Sequence, residues 1–408
     1  MNALRLAISF CFLFLFLSGE AVGQGKSPIH PYEVVDTRQS TFFDNTRGIP
    51  KPLPGQPFFG QDAQFSRNVP KYRDNSDGTV TDKVSGLIWQ KSYSVMTYTE
   101  AIRKAKKFSL AGKHDWRLPS IKELYSLALF NGVDASSLDM VSVPSGAKPF
   151  IDSAFYFKYF SNGKRPIDTQ LLSSTVYQGK TMGRQKTVFG FNAADGHIKG
   201  YPILDPRSRS GKEFTVRFVR GNSKYGKNDF HDNHDGTISD QATGLMWEKT
   251  DSGKGMNWQK ALAWVAQKNS ESYLGYKDWR LPNAKELQSI VDYNRSPQTT
   301  ASPALSPMFE VSAIKDEAGG ENYPFYWTST THKRVRGGFE AVYICFGDAY
   351  GYFRPPGFSG KFRLLDVHGA GAQRTDPKAG DPSGFPQGRG PQGDVVRILN
   401  YVRIVRDF

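Results

Sequence analysis

The sequence predicts an α+β protein made of two tandem copies of one small domain, preceded by an irregular N-terminal segment. The main observation is a phrase, Asp-Trp-Arg-Leu-Pro followed after two residues by Lys-Glu-Leu, which occurs at 115–124 and again at 278–287. The 408 residues also include 40 Gly and 24 Pro, a content that indicates many loops. The helical patterns are few and short, which favours small, mostly antiparallel sheets. We call the two occurrences of the phrase the signature segments.

Each signature segment predicts the start of a helix. Ser120 and Asn283 follow the proline, and Glu123 and Glu286 stand three residues later, which is the spacing of a capping box. The apolar residues that follow share one helical face. They are Ile121, Leu124, Tyr125 and Ala128 in copy 1, and Ala284, Leu287, Ile290 and Val291 in copy 2.

An earlier helix is expected in each copy, because apolar residues recur at helical spacing before each signature segment. These residues are Tyr98, Ala101, Ile102, Ala105 and Phe108, and then Trp258, Ala261, Leu262 and Val265. Thr97 and Glu100 form another capping box, whereas Asn257 is a cap without the glutamate.

Asp/Gly turns open both copies, at 74–82 before Trp89 and at 232–240 before Trp247. Such turns between β-branched residues predict a small meander of strands. Calcium is the alternative, but the interval from Asp74 to Gly78 is one residue shorter than the EF-hand pattern requires. We therefore predict turns and no metal site. His231 and His234 leave open a metal site in the second copy alone.

Arginines recur in both copies. Arg117 and Arg280 precede the capped helices, so we expect them to pair with a neighbouring carboxylate or with backbone carbonyls; ligand binding is the alternative. Each copy closes on nearly the same strand, at 216–220 and 402–406. Alternation along that strand places its arginines on the face opposite the apolar side chains.

These motifs set the predicted boundaries, copy 1 at 71–221 and copy 2 at 228–408. Ser-Ser-Thr at 173–175 aligns with Thr-Ser-Thr at 328–330. The copies differ just before the closing strand, where copy 1 has a basic loop at 199–212 and copy 2 a long Gly/Pro-rich loop at 363–393. A loop of that length inside a domain is usually functional or disordered, and both interpretations stay open.

The N-terminus predicts export. Residues 1–23 combine Arg5, an apolar run and a small-residue cleavage site, as in a signal peptide; a retained anchor is the alternative. Residues 24–70 carry many prolines and form an irregular strap, or else a free linker. The phenylalanines of the strap could pin it to a domain.

Composition favours an anionic partner. The formal net charge is +14, and a basic exported protein is biased towards polyanions such as acidic polysaccharides, although the excess lysine could serve solubility alone. Cytoplasmic nucleic acid is not expected. After signal cleavage Cys345 is the only cysteine left, so an intramolecular disulfide is impossible. We interpret Cys345 as a buried small hydrophobic residue, because no second thiol accompanies it.

The order of these motifs resembles the Lcl C-terminal domain family. The residues that carry the resemblance are Trp89, Trp116, Arg117, Pro119 and Glu123 in copy 1, and Trp247, Trp279, Arg280, Pro282 and Glu286 in copy 2. The resemblance implies a C-type-lectin-like fold, akin to that of formylglycine-generating enzymes. It also implies adhesion or the binding of glycosaminoglycan-like polyanions. No collagen-like run precedes the copies, which puts a trimeric adhesin architecture in doubt.

Three functional hypotheses follow. The first is a non-catalytic module that binds an anionic glycan or another envelope polyanion, without a cofactor. Its candidate ligand-binding residues are Arg334, Arg336, Tyr350, Tyr352, Phe353, Arg354, Arg363, His368, Arg374 and Lys378. The second is an enzyme acting on cell-wall or polysaccharide substrates, with His368 near Asp366 or Asp348. The third is a structural component of an envelope assembly that binds a protein partner through the strap. Motifs of serine hydrolases, zinc proteases and calcium-dependent lectins are missing from the sequence.

Overall fold

The computed structural model describes residues 30–136, 141–160, 165–205, 208–355 and 359–408. It is a mixed α+β structure, mostly strands with few helices, arranged in several sheets. The predicted signal peptide and residues 24–29 of the strap lie outside the described residues. Within the described residues, no helix combines the length and the apolar character needed to cross a membrane.

The strap and copy 1 contain the first half of the elements. The strap has two short strands and a 3-10 helix: β1 Phe42–Phe43, β2 Gly48–Ile49 and Asp62–Gln64. The strands of copy 1 are β3 Tyr72–Asp74, β4 Thr79–Asp82, β5 Leu87–Gln90, β6 Ser94–Thr97, β7 Gln170–Val176, β8 Thr187–Asn192, β9 His197–Pro202, β10 Glu213–Val216 and β11 Val219–Gly221. Its helices are α1 Tyr98–Ala105 and α2 Ile121–Tyr125.

The strands of copy 2 follow a similar order, with added hairpins and, among the described residues, without strands equivalent to β6 and β10. They are β12 Phe230–Asp232, β13 Thr237–Asp240, β14 Leu245–Glu248, β15 Ile314–Lys315, β16 Glu321–Asn322, β17 Phe325–Arg334, β18 Gly337–Cys345, β19 Tyr350–Phe353, β20 Arg363–Asp366, β21 Gln373–Pro377 and β22 Val405–Asp407. The helices are α3 Trp258–Ser270, α4 Ala284–Ser289 and α5 Pro297–Thr300, with 3-10 turns at Tyr273–Gly275 and Pro382–Gly384.

The two copies share one eight-stranded sheet. Its order is β17-β18-β21-β9-β8-β7-β10-β6, so β21 of copy 2 lies beside β9 of copy 1. The two strands run antiparallel, with Gln373 opposite Ile198. Counted outwards from this pair, β21-β18-β17 of copy 2 matches β9-β8-β7 of copy 1, which relates these strands by a pseudo-two-fold axis. On the copy 1 side the sheet continues with β10 and β6. Each copy also has its own four-stranded sheet, β11-β5-β4-β3 and β12-β13-β14-β22.

The predicted capping boxes are present in both copies. In copy 1 the Ser120 side chain accepts from the Glu123 amide, and Glu123 reaches back to the Ser120 amide. Thr175, from the Ser-Ser-Thr motif, accepts from the first amide of α2 at 2.9 Å, and Thr330 does the same for α4. The Ser/Thr motif of each copy is therefore hydrogen-bonded to the signature helix of the same copy. Both helices end earlier than the apolar pattern predicted, because the buried residues after them lie in turns.

The closing motif differs from the prediction of one alternating strand. In copy 1 the chain leaves the shared sheet after β10 and enters the smaller sheet at β11, so the motif spans two sheets. The arginine at the crossing is buried: Arg217 and Arg403 are each 1% exposed. Arg217 donates to backbone carbonyls that include Tyr156 O at 2.9 Å, and Arg403 donates to Glu310 O at 2.7 Å. These guanidinium groups satisfy carbonyls that the sheet crossing leaves without strand partners.

The described part of the strap is pinned to both copies. The Gln39 amide donates to Phe130 O in copy 1 at 3.3 Å and to Thr331 O in copy 2 at 2.7 Å. Asp62 accepts from Thr37 of the strap and from Thr330 of copy 2. The strap is thus an ordered bridge, and the free-linker alternative is wrong for these residues.

The signature helices α2 and α4 meet across the pseudo-two-fold axis. Lys122 of α2 donates to Ser289 O at the end of α4, at 2.6 Å. Lys285 occupies the equivalent position in α4 and donates to Ser126 O beyond α2, at 2.8 Å. Lys285 also donates to Asp36 O of the strap at 3.0 Å. Burial lowers the pKa of Lys122 to about 8 and that of Lys285 to about 7. Each copy therefore depends on the other for a buried hydrogen bond.

We expect the Lys285→Met variant to be less stable than the wild type. The substitution keeps the chain length but leaves Ser126 O and Asp36 O without a donor, which costs about 1–3 kcal/mol for a buried polar group. Urea unfolding at pH 7 measures the change. Lys260→Met, at an exposed position of α3, is the control. Equal urea midpoints for the two variants would contradict the stabilising role of the Lys285 hydrogen bonds.

Candidate functional site

The structure divides the predicted ligand-binding residues into buried and exposed sets. His368 and Lys378 are buried, and Arg374 and Arg334 are held in internal ion pairs. Lys378 is 0% exposed; its ammonium donates to Asp44 O of the strap at 3.0 Å and lies 4.0 Å above the Trp258 ring. Burial lowers the pKa of Lys378 well below its usual value. These four side chains support the fold, so the expected basic face is smaller than the sequence predicted.

An ionic cluster lies at the seam where β21 and β9 meet, and we call it the seam cluster. It consists of the acids Asp134, Asp195, Glu340 and Asp394, the cations Lys199, Arg334, Arg374 and Arg389, and the histidines His197, His332 and His368. The Arg374 Nε donates to Asp394 at 2.7 Å, and His368 Nε2 lies 2.9 Å from the same carboxylate. Lys199 donates to Asp195 at 2.6 Å. The cluster joins the copies by paired charges.

The pKa values of His197 and Asp134 in the seam cluster keep their protonation states constant near neutral pH. Burial, with the charge of Arg374, lowers the pKa of His197 to about 3. Burial alone raises the pKa of Asp134, but the hydrogen bond from His332 and the charge of Arg334 outweigh it and hold that pKa at about 2. A neutral imidazole at His197 and an ionised carboxylate at Asp134 are thus the native forms.

The residues of the enzyme hypothesis do not form an accessible catalytic site. The His368 imidazole lies beside Asp394, while the His368 backbone amide donates to Asp366 at 3.3 Å. Asp366 and Asp348 lie together, and Tyr177 Oη donates to both, at 3.0 and 3.1 Å. Burial raises the pKa of both carboxyl groups. A buried carboxyl pair that already holds its hydrogen-bond donors is a structural link between the copies.

The carboxylates of the Asp/Gly turns are held in internal contacts, and the Cys345 thiol is buried. Asp77 accepts from the amide and the hydroxyl of Thr79, and Asp74 pairs with Lys91. The second copy has the same contacts. No group of three or more His, Cys, Asp or Glu side chains placed to hold a metal ion lies among the described residues. Cys345 is buried, and burial raises the pKa of its thiol well above the usual value, as expected for a packing residue.

The 363–393 loop, expected to be functional or disordered, contains two strands and a 3-10 turn separated by irregular segments. Its first residues form β20, which pairs with β19, and later residues form β21 of the shared sheet. The β19–β20 hairpin presents Arg354 and Arg363 to solvent, while Tyr350, Tyr352 and Phe353 are partly exposed. The Arg354 guanidinium lies 4.3 Å above the Phe362 ring. Arg336 is exposed as well, but it lies in the turn between β17 and β18.

A groove of about 500 Å³ runs beside this hairpin, and we call it the copy 2 groove. Aromatic and charged side chains line it, namely Phe325, Tyr352, Phe385, Tyr401, Lys315, Glu317 and Arg397. Arg397 pairs with Glu317 at 2.8 Å and stacks 3.8 Å from the Phe325 ring. Sequence reasoning found Tyr352 but missed Phe385 and Tyr401. Their only sequence signal was an aromatic residue among prolines and another before the closing strand.

We expect acid to weaken the seam. Between the folded pKa of His197, about 3, and its unfolded pKa of 6.5, the unfolded chain binds a proton and the folded chain does not. The free energy of unfolding is therefore highest above pH 6.5 and falls as the pH decreases towards 3. From pH 6.5 to 5 this one group costs on the order of 2 kcal/mol. The measurement is urea unfolding across that range. His197→Asn is expected to flatten the pH dependence, whereas His114→Asn, at an exposed site, should keep it.

Comparison with known proteins gives one finding. The family model described as the Lcl C-terminal domain matches residues 78–220 and again residues 236–365, which together exceed half of the chain. Neither the curated proteins nor the solved structures include a match. The second match stops before β21 and β22, the strands that complete the sheets of copy 2. With one matched region in each structural copy and most of the chain covered, the chain belongs to the Lcl C-terminal domain family.

Proposed function

We propose that this chain is an exported, non-catalytic binding protein that recognises an anionic glycan in the copy 2 groove. The finer fold assignment is part of the proposal: each copy is taken as a C-type-lectin-like domain. The family resemblance supports this, and so does the placement of the first and last strands of each copy in one small sheet. Export rests on the predicted signal at 1–23.

The observation that carries the proposal is the meeting of ring faces with unpaired cations. Tyr352 lines the groove, and Arg354 directly follows the last residue of the same strand, outside the groove lining. Among the described residues, Arg354, Lys361 and Arg363 have no carboxylate partner. An aromatic face packs on a sugar ring, and a guanidinium forms charge-assisted hydrogen bonds with a sulfate or carboxylate. Both contacts are available on one side of copy 2.

The other two hypotheses gain less support. The enzyme hypothesis needs a reactive group open to a substrate, and its candidate His368 is buried in the seam cluster. The assembly hypothesis relies on a strap free to bind a neighbour, and the described strap already bridges the two copies. Co-purification of a stoichiometric envelope protein would favour the assembly hypothesis over glycan binding.

We expect the double variant Tyr352→Ala/Arg354→Ala to bind heparin more weakly. Loss of one ring contact and one charge-assisted contact is worth about 1–2 kcal/mol, or roughly a tenfold rise in Kd. Biolayer interferometry on immobilised heparin at several salt concentrations gives the Kd. Wild-type binding should weaken with salt, because exposed charges are screened.

Two controls separate the groove from general basicity. Arg103→Ala removes an exposed charge from α1 of copy 1, and Arg336→Ala removes one from the β17–β18 turn. Both should retain the wild-type Kd within about twofold, the scatter expected for a non-contacting exposed charge. Equal losses for all three variants, or no binding by the wild type, would contradict the proposal.

A further inference from the structure

A second groove lies in copy 1, where the strap crosses the segment before β7. It has a volume of about 650 Å³, and we call it the copy 1 groove. Its lining combines cations, an amide and aromatic rings: Arg38, Lys91, Lys148, Asn131, Phe155, Tyr156 and Phe157, with Asp152 as the acid. The strap contributes Arg38, so the complete groove requires the ordered strap.

The pseudo-two-fold relation identifies what is special about this groove. Arg217 donates to Tyr156 O, and Arg403 makes the same bond to Glu310 O, so Tyr156 and Glu310 are equivalent positions. The backbone confirms it, since Tyr156 N donates to Lys91 O and Glu310 N donates to Lys249 O. The same framework therefore presents an aromatic ring in copy 1 and a carboxylate in copy 2.

A neighbouring position shows the same contrast. Tyr93 lies two residues after Lys91, where copy 2 has Asp251 two residues after Lys249. The rings of Tyr93 and Tyr156 lie 5.5 Å apart at an interplanar angle of 36°, and Tyr156 is 53% exposed. This tilted pair of tyrosines, in which Tyr156 is exposed and Tyr93 is partly exposed, forms an aromatic platform. Copy 2 has acids, Asp251 and Glu310, at these two positions, which disfavours an anionic ligand at the equivalent place in copy 2.

The charges beside the platform complete the contrast. Lys148 is exposed and has no ion-pair partner among the described residues. Arg38 pairs with Asp152 at 2.7 Å and Lys91 with Asp74, but both cations stay more than 40% exposed. The net charge of the lining is positive, because three cations face one acid. The groove thus has ring faces for a sugar and cations for its acidic substituent.

We propose that the copy 1 groove is a second site for an anionic sugar, so that one chain holds two oligosaccharides. The proposal rests on the proposed function for the ligand class, but a different set of residues carries it. Tyr156 is the specificity-determining residue, since its ring contacts the sugar where Glu310 of copy 2 would repel it. Lys148 and Arg38 bind the acidic group.

The test is isothermal titration calorimetry with a heparin-derived tetrasaccharide, short enough to occupy one groove. The wild type is expected to bind two per chain. Tyr156→Glu, which introduces the residue of copy 2, and Lys148→Glu are each expected to leave one. Tyr156→Trp, which keeps an aromatic ring at this position, should still bind two tetrasaccharides per chain. Because both positions are exposed, thermal unfolding of the variants should match the wild type, which separates lost binding from lost folding.

The outcomes distinguish the two proposals. If Tyr156→Glu and Lys148→Glu keep the wild-type count and affinity while Tyr352→Ala/Arg354→Ala loses binding, the second site is wrong and the proposed function holds. If Tyr156→Glu abolishes binding and Tyr352→Ala/Arg354→Ala changes nothing, the copy 1 groove is the anionic-sugar site and the copy 2 groove is not. An absence of binding by the wild type overturns both.

Discussion

Two lysines at equivalent positions make the halves of this chain one body. Lys122 and Lys285 each reach the end of the other copy's signature helix, where backbone carbonyls lack helical partners. Because the bonds are reciprocal and buried, neither copy can be moved without exposing or stranding a carbonyl of the other. The shared sheet, the seam cluster and the strap all build on this arrangement.

The repeated residues bond to one another, which explains why they identify the fold and not the function. Arg117 and Arg280 bind the glutamates of the capping boxes, Glu123 and Glu286. Thr330, like its counterpart in copy 1, caps the helix of the same signature segment. These bonds commit the repeated residues to the framework, although the Arg117 side chain remains 32% exposed. Differences between the copies, such as Tyr156 against Glu310, are therefore the more informative positions.

Sequence reasoning found the elements whose signal is local. The capping boxes, the Asp/Gly turns and the duplication were predicted because each depends on residues a few positions apart. It could not find the seam cluster, since Asp134, Asp195 and Asp394 come together only through the pairing of β9 with β21. The same limit explains the misplaced cations: the burial of Lys378 is set by the strap, hundreds of residues away in the chain. Arg374 was likewise predicted to bind a ligand from a loop, but it lies in strand β21.

The charge of +14 is a poor measure of the surface that a polyanion meets. Arg217 and Arg403 donate to backbone carbonyls, and Lys285 donates to a carbonyl beyond the signature helix of copy 1. Arg374 is paired with a carboxylate in the seam cluster. What remains for an anion is a few cations beside ring faces, and a few contacts release few counterions. Binding through the grooves should then show a shallow dependence on salt, with ring packing supplying the rest of the affinity. A protein coated evenly with basic residues would instead lose its ligand steeply as salt rises, and that difference in slope separates a built sugar site from general attraction to a polyanion.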